Sequence, residues 1–247
     1  MHIEVKSPGL ENSTGSILVI GLLRKDLPSQ INELEKHLEF ELEKRLSQRN
    51  FIGKSGDIAM FDLSNKDDKK LILLGLGEPE NLLLDDLRKA AATAARKSKN
   101  NAGTLSMRFP WEAFDQIAAA KAVGEATRLA LFKDQRFKSS PEPIINPSKL
   151  ELIGLNQLTN NELNEINPTC AGVELARELV GAPPNALTPS TIAEKSIEIA
   201  KTYGLKFKIL SKEDCQRKGM GAYLSVAKGS DLEPKFIHLI YQPKGEA

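Results

Sequence analysis

Three histidines, two cysteines and a few paired acids are the side chains of this 247-residue sequence from which metal or nucleophilic chemistry could be built. His2, His37 and His238 lie far apart, and none belongs to HExxH or to another ligand pair at helical spacing, so they read as surface or packing residues. Asp67-Asp68, Asp85-Asp86 and Glu213-Asp214 offer oxygens to a hard cation, but neighbours on a helix point apart, so these pairs read as solvated faces or helix-start charges. Cys170 and Cys215 stand in no CxxC spacing and neither is singled out beside a histidine; with no GxSxG elbow either, a serine or cysteine hydrolase is excluded. Gly75-Leu76-Gly77 follows an apolar run and could bring backbone N–H groups to a phosphate. It lacks the third glycine of a dinucleotide fingerprint and the Gly-Lys-Ser/Thr of a P-loop, so a tight strand-to-helix turn is predicted instead. Pro183-Pro184-Asn185 and Gly219-Met220-Gly221 hold no nucleophile, acid or ligand and read as structural turns. No residue is assigned as catalytic, metal-binding or cofactor-binding.

The bulk composition narrows the partners. Thirty-four basic residues against 33 acidic ones leave no field that would draw nucleic acid or an anionic membrane. Two isolated cysteines suit a reducing compartment and argue against a disulfide framework. The N-terminus has no apolar core of signal-peptide length and no stretch approaches the roughly 20 apolar residues of a membrane span, so a cytoplasmic address is expected.

The elements that would position any site alternate between strand and helix. Ser16 to Leu23 is a continuous apolar run, expected as a strand covered on both faces. Ile31, Leu34, Leu38, Leu42 and Leu46 recur at three or four residues and predict one amphipathic helix from Ser29 to Gln48. Strands are predicted at Ile58–Leu63 and Lys69–Leu76, then a helix along Leu84, Leu87, Ala91 and Ala94. A strand at Thr104–Phe109, a helix at Trp111–Phe132, a proline-rich surface loop over 133–148 and a strand from Lys149 to Leu155 complete an α/β first domain with a mostly parallel sheet. Beyond a boundary near residue 165, Pro168 suits the first turn of a helix running to Val180, and Thr188-Pro189 caps and opens another that Gly204 closes. A strand at Leu205–Leu210, a short helix capped by Ser211 and strands at Ala222–Ala227 and Lys235–Tyr241 follow; the same βα alternation implies a parallel sheet here too.

A series of short motifs gives this order a second meaning. Ala176-Arg177, Leu179-Val180, Pro183-Pro184-Asn185, Leu187-Thr188-Pro189, Met220-Gly221, Leu224, Gly229-Ser230 and Tyr241 together resemble the opening of the catalytic domain of the leucyl aminopeptidase (cytosol aminopeptidase) family. Upstream, and more weakly, Lys70 to Arg96 resembles the strand, GLG turn and helix of that family's N-terminal domain, and Phe132-Lys133 through Lys138-Ser139 resembles its "YRFDRYKS" stretch.

The resemblance implies a macrodomain-like N-terminal α/β domain over 1–165 and the start of a metallo-aminopeptidase catalytic domain over 166–247. It implies a cytoplasmic exopeptidase that removes leucine and other N-terminal residues from peptides, works with two divalent metal ions (Mn or Zn), and assembles as a homo-oligomer, a hexamer. The family's ligands and catalytic residues lie in "VGKG…TFDSGG" and "NTDAEGR" segments and a further aspartate; neither segment occurs in this sequence. Lys228-Gly229-Ser230 is only an echo in an earlier turn. With the chain ending six residues after Tyr241, the expectation is a truncated piece that holds no metal and is inactive alone. The alternative is a non-enzymatic binding or assembly module, for an ADP-ribose-like ligand or a partner subunit, built on the first domain.

Overall fold

The computed structural model describes residues 1–63, 69–155 and 158–243, without the side chain of Asn12; Asp67-Asp68 lie outside the described residues. By their contacts these residues form two compact units, Met1–Ala176 and Arg177–Ala247. The first carries a six-stranded sheet of β1 (His2–Lys6), β2 (Ile17–Leu23), β3 (Ile58–Leu63), β4 (Lys69–Gly77), β5 (Thr104–Arg108) and β6 (Lys149–Ile153) in the spatial order β1-β6-β5-β2-β4-β3. Every pairing is parallel except that of edge strand β3, which runs antiparallel to β4. The mostly parallel α/β sheet is as expected from the alternation of apolar runs with amphipathic helices.

Burial on two faces explains why β2 is apolar at nearly every position. Leu18, Ile20 and Leu22 face the buried residues of α1 (Leu27–Leu38) and α2 (Glu43–Ser47), whereas Ile17 and Val19 pack in a second core with α3 (Leu84–Lys97) and α4 (Gln116–Leu131). Since successive strand side chains alternate faces, a single apolar run serves both helical layers.

Four local expectations are corrected. The helix predicted over Ser29 to Gln48 is two helices, α1 and α2, because Glu39 adopts a left-handed conformation at φ 51° and ends the first. The Glu35 carboxylate caps the second by accepting from the N–H groups of Leu42 and Glu43, and Phe40 turns aside to meet Phe61 edge-on at 5.7 Å. The helix predicted from Trp111 starts only at Gln116, since Trp111–Ala113 is a 3-10 turn and Asp115 caps α4 by accepting from Ala118 N–H at 2.8 Å. Strand β1, not anticipated from its two apolar residues Ile3 and Val5, adds itself to the sheet edge beside β6.

The fourth correction lies in the second unit. The division at Ala176 falls within α5 (Ile166–Gly181). Thereafter come α6 (Pro189–Tyr203), β7 (Lys206–Leu210), α7 (Lys212–Arg217), α8 (Gly221–Ala227) and β8 (Phe236–Ile240). The stretch predicted as a strand at Ala222–Ala227 is helix α8, and the partner of β7 is β8. Those two strands pair antiparallel, from Lys206 opposite Ile240 to Leu210 opposite Phe236, where the βα alternation implied a parallel sheet.

Candidate functional site

Strands β2 and β5 are hydrogen-bonded neighbours, yet the chain leaves their carboxyl ends toward opposite faces: from β2 into α1 on one side, from β5 into α4 on the other. Such a switch point opens a crevice, and open α/β sheets bind ligands there. Here the crevice encloses about 320 Å³ between the strand ends and the first turns of α1. Its charged rim comprises Lys25, Asp26, Glu33, Arg108 and Glu112, over apolar walls that include Leu22, Leu34 and Phe109.

Local geometry makes the crevice a fixed shape. The side chain of Gln30 accepts from Leu23 N–H at 3.2 Å and donates to the carbonyls of Leu23 at 2.9 Å and Lys25 at 2.8 Å, pinning the turn between β2 and α1. Arg24 N–H donates to Gly77 O at 2.8 Å, tying the same turn to the end of β4. Asp26 holds a left-handed backbone at φ 57°, uncommon for a residue with a side chain. Gly21 lets Phe109 lie across the strand end, for a Cβ there would stand 2.4 Å from Phe109 Cδ1. Arg108 and Glu33 face each other at 3.9 Å, beyond hydrogen-bond length. Lys25 lies 3.8 Å from Glu80. Serine, cysteine and histidine do not line this crevice; its polar groups are Gln30 and the charged side chains of its rim.

The residues weighed from sequence are placed as follows. Gly75 and Gly77 do form a close turn, but the backbone they meet is that of residues 53–57. Gly77 N–H donates to Gly53 O at 2.9 Å and Gly75 N–H to Asp57 O at 2.8 Å, so those donors are spent within the fold. Asp86 caps α3 by accepting from Leu83 N–H at 3.0 Å, and Lys89 lies 3.0 Å from Asp85: these are helix-start charges. Asp214 accepts from Ser211 N–H at 3.0 Å in the capping box of α7. His2 Nε2 lies 3.2 Å from Glu4, His37 Nδ1 lies 2.9 Å from the carbonyl of Glu33, and His238 is exposed on β8. Cys170 and Cys215 are buried, and neither is in a disulfide. Pro183-Pro184-Asn185 turns the chain, its Pro183 carbonyl accepting from Ala186 and Leu187 at 2.9 Å each, and leads to the Thr188 cap of α6. Gly219, at φ 68°, ends α7 but leads into α8, not the strand anticipated.

Sequence reading passed over one polar cluster in the first unit. Glu151 on β6 is completely buried and accepts from Thr14 N–H at 3.1 Å, from the Thr14 hydroxyl, and from the Ser106 hydroxyl at 2.6 Å. Burial pushes its carboxyl up, but the bonds from Ser106 and Thr14 and the nearby Lys149 outweigh this and bring it below the usual value. Glu4, opposite it on β1, is likewise raised by burial but drawn down to about 2 by Lys149 at 2.9 Å and Lys6 at 2.7 Å. Charged residues at alternate positions of an otherwise apolar strand, Lys149 and Glu151, were the available signal.

A two-metal centre does not fit these residues. Among the described residues no group of three or more His, Cys, Asp or Glu could hold a metal ion. No helix among them is long and apolar enough to cross a membrane.

Comparison with known proteins places the chain. The family model described as "Cytosol aminopeptidase family, N-terminal domain" matches residues 19–141, and that for the catalytic domain of the same family matches residues 174–247. The chain belongs to the cytosol aminopeptidase family. A "Probable cytosol aminopeptidase" of Prochlorococcus marinus (strain MIT 9211) is 52% identical over all 247 residues, which correspond to 50% of that relative. One of Synechococcus sp. (strain CC9311) is 44% identical, again over 100% of this chain and 50% of its own. The chain thus spans about half the length of the curated relatives it matches. Among solved structures, a tomato leucine aminopeptidase mutant superposes with a TM-score of 0.88 at 27% identity, over 100% of this chain and 52% of its own. The bottromycin maturation enzyme BotP, in complex with Mn, shares the fold with a TM-score of 0.72 at 20% identity, over 93% of this chain and 46% of its own.

Proposed function

We propose that these residues are the N-terminal domain, over about 1–165, and the opening part of the catalytic domain, over 166–247, of a metal-dependent leucyl aminopeptidase. That enzyme hydrolyses N-terminal leucine and other residues from peptides, uses two divalent ions (Mn or Zn), and works in the cytoplasm as a homo-oligomer, a hexamer on the family resemblance. The observation that carries the reading is the order of the two family matches, with 52% identity maintained over all 247 residues to the corresponding half of a relative.

On this reading, the groups that bind metal and carry the reaction lie outside the 247 residues. The lysine-bearing and "NTDAEGR" segments are absent from the sequence, and the described residues offer no metal-binding group. No serine, cysteine or histidine lines the crevice. Enzymes of this kind must lower a barrier by on the order of 8 kcal/mol or more, which on this reading the metal-holding segments supply.

The test has two arms. The 247-residue chain, given a leucyl chromogenic substrate with Mn²⁺ or Zn²⁺, is expected to release no product and to take up no stoichiometric metal in equilibrium dialysis. Fused to the remaining half of the Prochlorococcus relative, it is expected to release leucine in a chelator-sensitive way. Chelator-sensitive turnover by the 247 residues alone would overturn the placement of the reacting groups; a folded, metal-loaded fusion that stays inert would overturn the activity.

A further inference from the structure

We infer that the crevice at the carboxyl ends of β2 and β5 is a binding site for a small zwitterion, a free α-amino acid with an apolar side chain. Its place in the sheet is the first ground: adjacent parallel strands whose connections diverge leave a cleft that no side chain of the fold fills. Its size is the second. At about 320 Å³ it lies at the lower end of small-ligand sites, roughly 300–1,000 Å³, which suits one amino acid and not a dinucleotide.

Charge decides the class of ligand. Two cations, Lys25 and Arg108, stand against three carboxylates, Asp26, Glu33 and Glu112. An anion such as a phosphate or a diphosphate would meet more negative than positive charge, and a simple cation would meet the guanidinium. A molecule bearing both signs on one carbon satisfies both. Lys25 and Arg108 both line the cleft, each with a carboxylate just beyond hydrogen-bond reach, Glu80 at 3.8 Å and Glu33 at 3.9 Å; of the two, Arg108 carries the guanidinium. Its planar fork matches a carboxylate. Glu33, 3.9 Å from Arg108 and not hydrogen-bonded to it, presents the acceptor for an ammonium. Phe109 and Leu34 supply apolar contact for the side chain. The Gln30 bridge fixes the turn beforehand, which reduces the ordering cost of binding.

The inference does not rest on the peptidase reading, and its test reads binding alone. The 247-residue chain is titrated by calorimetry with L-leucine, 4-methylpentanoate (no ammonium), leucinamide (no carboxylate), ADP-ribose and inorganic phosphate. Leucine is expected to bind at about millimolar affinity or better, and both truncated analogues at least about tenfold more weakly. Arg108→Gln is expected to weaken leucine by about tenfold while leaving leucinamide unchanged, and Glu33→Gln to do so while leaving 4-methylpentanoate unchanged. Both side chains are substantially exposed, at 40% and 58%, so the variants should fold, which Trp111 fluorescence verifies. No measurable leucine binding, leucine binding indifferent to both substitutions, or tighter binding of ADP-ribose or phosphate than of leucine would each overturn the assignment.

Discussion

Replacing Glu151 by glutamine would test whether the buried polar cluster holds the sheet together. The wild-type carboxylate, wholly excluded from solvent, faces donors only: the N–H of Thr14 at 3.1 Å, the hydroxyls of Thr14 and Ser106, and Lys149 Nζ at 3.3 Å. A glutamine has one acceptor oxygen and an NH₂ that faces Lys149 or forces a hydroxyl of Thr14 or Ser106 to turn and accept, so the charge-assisted bonds are lost or weakened. An unsatisfied buried group costs about 1–3 kcal/mol, and breaking a buried charge pair about 3–5 kcal/mol. Lys149 is 28% exposed and keeps Glu4 at 2.9 Å, so no uncompensated charge is buried and the expected loss is that of the hydrogen bonds, about 1–3 kcal/mol. That is a large share of the 5–15 kcal/mol typical of a domain. Urea unfolding followed by fluorescence of Trp111, the sole tryptophan and a buried one, reports on the first unit specifically. The sign of the pH dependence follows from the direction of the shift. A carboxyl held below its ordinary value of 4.5 contributes its full stability above that value and loses it as pH falls through the depressed folded value. The gap between wild type and Glu151→Gln should therefore be greatest at neutral pH and narrow below about pH 5. Glu4 remains in both proteins, so to first order its own loss cancels in the difference. A gap below about 0.5 kcal/mol at pH 7, or one that widens on acidification, would refute the reasoning.

Two further substitutions probe other elements. Gly75→Ala places a Cβ 2.2 Å from the carbonyl of Lys54, in backbone that three hydrogen bonds hold against β4, and should cost about 2 kcal/mol in the same unfolding experiment; an unchanged midpoint would show that the loop yields freely. Thr188→Ala removes the hydroxyl that accepts from Thr191 N–H at 3.3 Å, so α6 should lose about 1 kcal/mol and its first-turn amides should exchange with solvent about fivefold faster, whereas unaltered exchange would deny the cap a role.

The parts of this protein written in its sequence are those governed by local pattern. An apolar, β-branched run such as Ser16–Leu23 reads as a strand buried on both faces, and Thr188-Pro189 reads as the opening of a helix, because burial and orphan backbone donors are decided within a few residues. The ordered motifs from Ala176 to Tyr241 likewise sufficed for the family, since identity resides in residues and not in coordinates. Tertiary structure decided what depends on a distant partner. Leu42 and Leu46 continue the spacing of α1, so only the Glu35 cap and the Phe40 contact with Phe61 reveal the break. Ala222–Ala227 is a short, mostly apolar run such as a strand can show, yet β7 pairs with β8, and an unpaired strand has nowhere to place its backbone hydrogen bonds. The crevice was invisible for the same reason: Glu33 and Arg108 are 75 positions apart, on a helix and on a strand end, and only the parallel pairing of β2 with β5 sets them 3.9 Å from each other.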